Sequence, residues 1–221
     1  MFLNLHTHSG RSSDSEITIN NVMIKDVDDD SLFLKDGSYS VGLHPWYLDP
    51  KSYSGQMNRL KEIVNLEGVK MLGECGLDKL RGPEMDLQMR AFTEQVRLAE
   101  QAGKPVLIHC VKGYSELLAL RKSLQPKVPL IVHGYNGKLP MAIQLIKHGF
   151  YISLGHALLI PRSNAGNVLM NIPLSRVFFE TDDKPGSVKG IYEKAADLLN
   201  ISVDELKEII FGNFLKLRGR I

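Results

Sequence analysis

Five short apolar runs in this chain of 221 residues end in side chains able to ligate a metal ion. Phe2 to Leu5 leads into His6-Thr7-His8, and Val69 to Leu72 into Gly73-Glu74. Val106 to Ile108 ends at His109, Leu130 to Val132 at His133, and Val177 to Phe179 at Glu180-Thr181-Asp182. Imidazole nitrogen and carboxylate oxygen together suit Zn²⁺, Mn²⁺ or a related first-row ion. His6, His8, Glu74, His109, His133 and Asp182 are more ligands than one open catalytic ion needs. They suit two divalent ions about 3.5–4 Å apart with a carboxylate between them. Singly, most have a plainer reading: His-x-His on a strand is often structural, a histidine after an apolar run is often a hydrogen-bonded core residue, and Asp182 reads equally as a helix N-cap. Glu74 has no good core reading, because an ionised carboxylate at the end of a buried strand needs a partner. The coincidence at successive strand ends is what points to a metal site.

The elements that must position these residues are strands alternating with helices. Apolar, β-branched runs recur at 2–5, 17–24, 39–43, 69–72, 106–108, 130–132, 150–154 and 177–179. Between most of them lie stretches of helical period, such as Asp86 to Gln101 with Leu87, Ala91, Val96, Leu98, Ala99 and Ala102 on one face. Gly103 is placed to end that helix in a left-handed turn. Asp49-Pro50 reads as an N-cap followed by a first-turn proline, and Ser202 to Glu205 has capping-box spacing. Alternating strands and helices imply parallel pairing through right-handed crossovers. Near eight strands, the expectation is a TIM-type (β/α) barrel, whose strand C-termini meet at the rim where active sites sit. His6 and His8, two apart on a strand, share a face. An open doubly wound sheet stays possible on strand count, although no Gly-rich phosphate loop follows any strand. A full barrel takes about 250 residues. The shortage falls between His8 and Gly42, so one or both early helices should be missing or reduced, distorting or trimming the first two β/α units.

Composition agrees with a single hydrolase-sized domain over 1–221. Hydrophobic residues make up 43%, ordinary for a soluble globular protein, and Lys plus Arg number 27 against 25 Asp plus Glu. A net charge of +2 excludes a protein that coats nucleic acid by charge alone. No apolar run approaches the ~20 residues of a membrane span, and nothing resembles an export signal. The expected setting is cytoplasmic, with no membrane association and no stable protein partner. Two cysteines, Cys75 and Cys110, are too few for a disulfide framework and read as reduced packing residues.

Several other polar residues follow strands. His44 stands after Gly42-Leu43 as a candidate substrate group, with Pro45 and Trp46 building a rigid turn. Lys79, Arg81, Lys112 and Tyr135 are placed to meet a phosphate, or else to be solvated loop. Asp78 either orients a metal-bound histidine or caps its loop. Asp26, Asp28, Asp29 and Asp30 read as a solvated turn, since they lack the glycine and closing glutamate of an EF-hand loop.

In order, these motifs are His6-Thr7-His8, Gly42-Leu43-His44-Pro45, Gly73 to Asp78, Pro105 to His109, His133 to Gly137 and Glu180 to Asp182. Together they resemble the TatD family of metal-dependent deoxyribonucleases, which share the amidohydrolase-type TIM barrel. Gln88, Phe92, Gln95, Leu98 and Ala99 ahead of Gly103-Lys104-Pro105 resemble that family's helix, and Asn213 and Leu215 its C-terminal signature. The resemblance implies that His6, His8 and Asp182 hold one ion, that His109 and His133 hold a second, and that Glu74 bridges them. It implies a phosphodiesterase acting on DNA, single-stranded or at ends and exonuclease-like in mode, with Zn, Mn or Mg. Glu74 and Asp182 would be the catalytic residues, Asp182 positioning the attacking water. The chain departs from the family at Asn4, where an aspartate is usual, at Lys79, where an aromatic is common, and at Asp183-Lys184, which adds a charge and a residue before Pro185.

Two alternatives carry different outcomes. Leu5 to Ser9 with Ser13-Asp14 also resembles the opening motif of PHP-type phosphoesterases, but leaves the Gly-Leu-His-Pro-Trp and Glu-x-Gly-Leu-Asp segments unexplained. The same barrel and metals also serve amidohydrolases and esterases on small substrates, because fold does not decide the bond cleaved.

Overall fold

Each apolar run forms a strand. They are β1 (Phe2–Thr7), β2 (Glu16–Met23), β3 (Tyr39–Gly42), β4 (Val69–Asp78), β5 (Val106–Val111), β6 (Leu130–Val132), β7 (Tyr151–Leu154) and β8 (Val177–Phe179). Between and after them run α1 (Tyr53–Ile63), α2 (Met85–Ala102), α3 (Tyr114–Leu124), α4 (Leu139–Lys147), α5 (Asn164–Asn171), α6 (Lys189–Leu199) and α7 (Val203–Arg218). The structure, a computed structural model, describes residues 1–8, 14–24 and 37–218. The eight strands follow one another in chain order in one sheet, and their registered pairs are parallel. This is the strand order of a TIM-type (β/α) barrel. Most strands are buried along their length, as parallel strands covered by helices must be, so they read as continuous apolar runs rather than alternations. No helix of the described residues is long and apolar enough to cross a membrane.

Contacts group the chain into two compact units, Met1–Asn20 with Ile131–Arg220 and Asn21–Leu130. In the first, β1 runs beside β2 with Leu3 opposite Ile17, and Thr7 bridges Asp182 in the parallel sense. Main-chain bonds from His8 to the Asp182 carbonyl (3.1 Å) and from Asp182 to the His6 carbonyl (3.0 Å) fix the end of the last strand beside the first. Residues 8–15 join β1 to its parallel neighbour β2, fewer than the dozen or so that a crossover usually takes. This is the trimming expected of the first β/α unit. The second expected trimming falls mainly on residues 25–36, outside the described residues, as do Asp26, Asp28, Asp29 and Asp30. α7 starts as its capping box predicts, with the Glu205 amide donating to Ser202 Oγ at 3.1 Å.

The second unit shows three local differences from expectation. Asp49 does not cap α1. Its carboxylate accepts from the Lys51 amide at 3.1 Å in a tight Asx turn, and the helix begins only at Tyr53. α2 does end at Gly103, whose φ of 63° is the left-handed cap. Its buried face, however, is turned to include Gln88, Phe92 and Gln95 beside Ala91, Val96, Leu98 and Ala99. The glutamines are buried because each serves main-chain groups of other segments. Gln95 takes the Leu43 amide (2.8 Å) and gives to its carbonyl (3.2 Å), and Gln88 does the same for Asp78 at 2.7 and 3.0 Å. Third, β4 runs on to Asp78, so Glu74 lies inside a strand rather than beyond its end.

The length of β4 depends on glycine. Gly73 and Gly76 have φ of 126° and 147°, and a side chain at Gly76 would overlap the His109 carbonyl oxygen. The register with β5 shifts here, between Leu72 and Cys75. Gly76→Ala adds steric overlap to a conformation that L residues avoid, each costing about 1–3 kcal/mol. We expect a clear loss of the urea midpoint for this variant, and an unchanged midpoint would contradict the close approach.

Lys104, just before β5, donates from Nζ to the Val69 carbonyl at 2.7 Å and also to that of Val64. Burial pulls its pKa down to about 8. The unfolded value is about 10.4. Between these limits the native state binds fewer protons than the unfolded chain, so stability rises with pH across that window. The urea midpoint of the wild type relative to Lys104→Met is expected to increase from pH about 8 to about 10. A flat difference would count against it.

Candidate metal centre

In the unit formed by residues 1–20 and 131–220, His6, His8, His133, Glu180 and Asp182 come together. Nε2 of His6 and Nε2 of His8 lie 3.3 and 3.5 Å from Asp182 Oδ1. The His6 ring stands edge-on to His8 and His133, with centroids 5.0 and 4.5 Å apart. Ligand atoms of His6, His133 and Asp182 all fall within 4.8 Å of one another. Burial raises the Asp182 carboxyl, but hydrogen bonds from His6 and His8 outweigh it and hold the group well below the usual carboxylate range. His133 Nδ1 meets Glu180 Oε1 at 3.2 Å, and the Gly134 amide donates to the same oxygen at 2.6 Å.

Asn4 braces this cluster from beneath. Its amide group donates to Thr181 Oγ1 (2.9 Å) and Glu16 Oε1 (3.2 Å), while its Oδ1 accepts from the Thr181 amide (3.1 Å). An amide can do both, whereas an ionised carboxylate cannot donate. The family's usual aspartate would set a carboxylate against Glu16 at a buried position and lose a donor. Asn4→Asp is therefore expected to cost about 1–3 kcal/mol. A melting temperature equal to the wild type would refute that role.

In the unit of residues 21–130, β3, β4 and β5 bring together His44, Glu74, Asp78 and His109. His44 Nε2 and His109 Nδ1 lie 3.0 and 2.9 Å from Glu74 Oε1. The Trp46 amide donates to His44 Nδ1 at 3.2 Å, so the neutral ring carries its hydrogen on Nε2, facing Glu74. The Glu74 amide is held by Asn21 Oδ1 at 2.9 Å. His109 Nε2 lies 3.0 Å from Asp78 Oδ2. Asp78 Oδ2 also accepts from Trp46 Nε1 at 2.5 Å, and its Oδ1 accepts from the amides of Leu80 and Arg81 at 2.8 and 3.1 Å. Asp78 thus meets the histidine and caps the loop at once. Burial raises its carboxyl; the bonds from Trp46, His109 and Leu80 more than reverse that. Both cysteines are buried with their thiols pushed up by burial, Cys110 to about 12, which makes them inert packing groups.

The residues expected to meet substrate are distributed differently. His44 is buried against Glu74. Lys79 pairs with Glu116 at 2.6 Å, and the Arg81 guanidinium lies 3.7 Å over the Trp46 ring. Both line a cleft of about 560 Å³ with Leu80, Gly82 and Gln88. Lys112 is exposed just after β5, at φ 53°. Tyr135 is buried, and its hydroxyl donates to the Lys138 carbonyl at 2.9 Å, closing the turn after His133. Glu180 is the site residue that the sequence argument passed over. The signal for it was present: a carboxylate directly after a buried apolar run, with no basic neighbour.

A parallel barrel whose strands carry histidine and carboxylate clusters, some within the strands and some just beyond them, defines the class of metal-dependent hydrolases. The family model described as TatD related DNase matches residues 30–219, and the chain belongs to that family. The chain is 25% identical over 192 residues to the metal-dependent hydrolase YjjV of Escherichia coli, covering 79% of this chain and 73% of that one. It is 28% identical over 148 residues to the 3'-5' ssDNA/RNA exonuclease TatD of Enterobacter lignolyticus, covering 65% and 56%. The crystal structure of Escherichia coli YjjV superimposes with a TM-score of 0.80 at 21% identity, covering 98% of this chain and 97% of that one, which shows the TIM-type fold.

Proposed function

We propose that the chain is one metal-dependent nuclease domain that hydrolyses phosphodiester bonds of DNA, single-stranded or at ends, with two divalent cations drawn from Zn, Mn and Mg. The observation that carries this reading is the inventory of buried charge. Among the described residues, Glu74, Asp78 and Glu180 are buried while no lysine or arginine is. Each has at least one imidazole among its partners, and His6, His44, His109 and His133 are also buried. Buried carboxylates beside neutral imidazoles, with no buried basic side chain, make a donor set that fits divalent cations. The nuclease name of the Enterobacter relative supports nucleic acid as the substrate class.

In this reading His6, His8, His133 and Asp182 supply ligands in one unit, and Glu74 and His109 in the other. Bound divalent ions lower the pKa of water and neutralise charge that builds on the phosphoryl oxygens. Asp182 orients the attacking water, and His6 and His8 keep that carboxylate ionised. Lys79 and Arg81, which line the cleft beside Asp78, and the exposed Lys112 remain the proposed substrate groups, whereas His44 and Tyr135 are buried in other contacts. A net charge of +2 is compatible with this chemistry because the ions carry the local positive charge.

The test is an end-labelled single-stranded oligonucleotide incubated with chelator-stripped protein and Mn²⁺, Mg²⁺ or Zn²⁺. Metal-dependent cleavage is expected. No cleavage with any ion, alongside turnover of a small ester or amide, would replace phosphodiesters with the amidohydrolase substrate class.

A further inference from the structure

We propose that Arg81 and Trp46 form a platform on which a nucleobase of the bound strand stacks, beside the histidine and carboxylate cluster of residues 21–130. The inference rests on the nuclease reading above and deepens it: Arg81 meets the face of a base, where a cation in such a cleft would ordinarily be assigned to a phosphate.

Trp46 is the only tryptophan of the chain and stands half-buried in the short turn Pro45–Tyr47 after β3. Its Nε1 donates to Asp78 Oδ2 at 2.5 Å, and its amide donates to His44 Nδ1 at 3.2 Å. The other oxygen of the same carboxylate, Oδ1, accepts from the amides of Leu80 and Arg81 at 2.8 and 3.1 Å. Gln88 Nε2 donates to the Arg81 carbonyl at 3.3 Å. One buried carboxylate therefore fixes both the indole and the loop that carries the guanidinium. Arg81 Cζ comes to lie 3.7 Å from the centroid of the Trp46 ring. At that separation the planar group stacks on the ring; pointing an N–H into it would hold the carbon farther off. The platform is thus assembled before a ligand arrives, which lowers the ordering cost of binding.

Arg81 is exposed and lines the cleft of about 560 Å³, so the side of its guanidinium away from Trp46 faces the space a ligand would enter. The charge of that cleft does not suit a bare phosphate. Lys79 is neutralised by Glu116 at 2.6 Å, and Glu84 adds a further carboxylate to the lining. What the cleft offers is a flat cation backed by an indole, with Leu80 beside it as an exposed apolar side chain at 62% of its full area. A base laid on the guanidinium continues the stack that Trp46 begins. The Trp46 ring also stands 5.4 Å from that of His109. A nucleotide whose phosphate reaches the cluster is therefore within reach of the platform with its own or a neighbouring base. Every base has a π-face, so the platform favours single strands, whose bases are unstacked, without reading their sequence.

As the chain's only indole, Trp46 reports on the platform by its own fluorescence. The probe is a short oligothymidylate with phosphorothioate links, which resist cleavage, added to the full chain in Mg²⁺. It is expected to quench Trp46. The same backbone carrying abasic sugars is expected to bind about tenfold more weakly and to quench little. Arg81→Lys keeps the charge and removes the plane. It is expected to weaken oligothymidylate binding by about tenfold and to leave the abasic chain nearly unchanged. Equal affinity of the wild type for the two chains, or an Arg81→Lys variant that binds oligothymidylate as the wild type does, would overturn the platform and leave the nuclease reading standing. Failure of both chains to bind overturns the platform too; if ordinary single-stranded DNA is also not cleaved with any divalent ion, the nuclease reading falls with it. Arg81 is exposed, so the variant is expected to melt with the wild type, and the comparison of the two chains on the wild type decides the matter without it.

Discussion

Glu74→Ala is expected to lower metal-dependent cleavage of single-stranded DNA by roughly a thousandfold or more while leaving the protein folded. A metal-activated water and charge neutralisation at the phosphoryl group are together worth several kcal/mol, and each ~1.4 kcal/mol is a factor of ten in rate. Glu74 is the carboxylate on which His44 and His109 both converge, at 3.0 and 2.9 Å. Removing it takes a ligand from the site and leaves two rings facing each other across the vacated space. Removing one partner of a buried pair costs about 3–5 kcal/mol, within the stability of an ordinary domain of this size, so the fold should survive. Steady-state rates at saturating Mn²⁺, with circular dichroism of the same preparation, check both halves. Activity within tenfold of the wild type would contradict the role assigned to Glu74.

The second large effect is on stability. Saturating the chelator-stripped protein with a divalent cation is expected to raise the melting temperature by about 5–11 °C per ion. An ion present at a hundred times its Kd stabilises by about 2.7 kcal/mol, and for a chain of this size each kcal/mol is worth roughly 2–4 °C. The effect arises because the buried carboxylates Glu74, Asp78 and Glu180 have no buried lysine or arginine among the described residues. A bound cation supplies each cluster with positive charge that no buried basic side chain provides. Asp182→Asn should reduce the shift without abolishing it, since it removes one ligand from one cluster. Scanning calorimetry with and without Mn²⁺ measures this directly, and an unmoved melting point would exclude tight binding.

The ligand positions were legible because each follows a run such as Val106 to Ile108 or Val177 to Phe179 that has only one plausible fate, burial in a sheet. Alternation of those runs with helices carried the barrel order, and the eight residues between β1 and β2 carried the trimming. What surrounds the ligands was not legible. Asp78 reads as loop cap or histidine partner with equal ease, and only the folded chain shows that it has enough oxygens for both. Gln88 and Gln95 look like the exposed face of α2. Gln95 is buried because it serves the main chain of Leu43, 52 residues away, and Gln88 because it ties down the preceding loop from Asp78 to Pro83. Glu180 was hidden by Asp182 two residues on, which took the attention its motif attracts. The extension of β4 past Glu74 depends on glycine conformations at Gly73 and Gly76 that an apolar count does not register.

The most direct test of the account is the metal bound per chain. Wild type and Glu74→Ala would be stripped, dialysed against Mn²⁺ and then against metal-free buffer, and assayed by plasma mass spectrometry. The account predicts about two equivalents for the wild type, as a two-ion hydrolytic site requires, and clearly less for the variant. A wild type that retains none would contradict it.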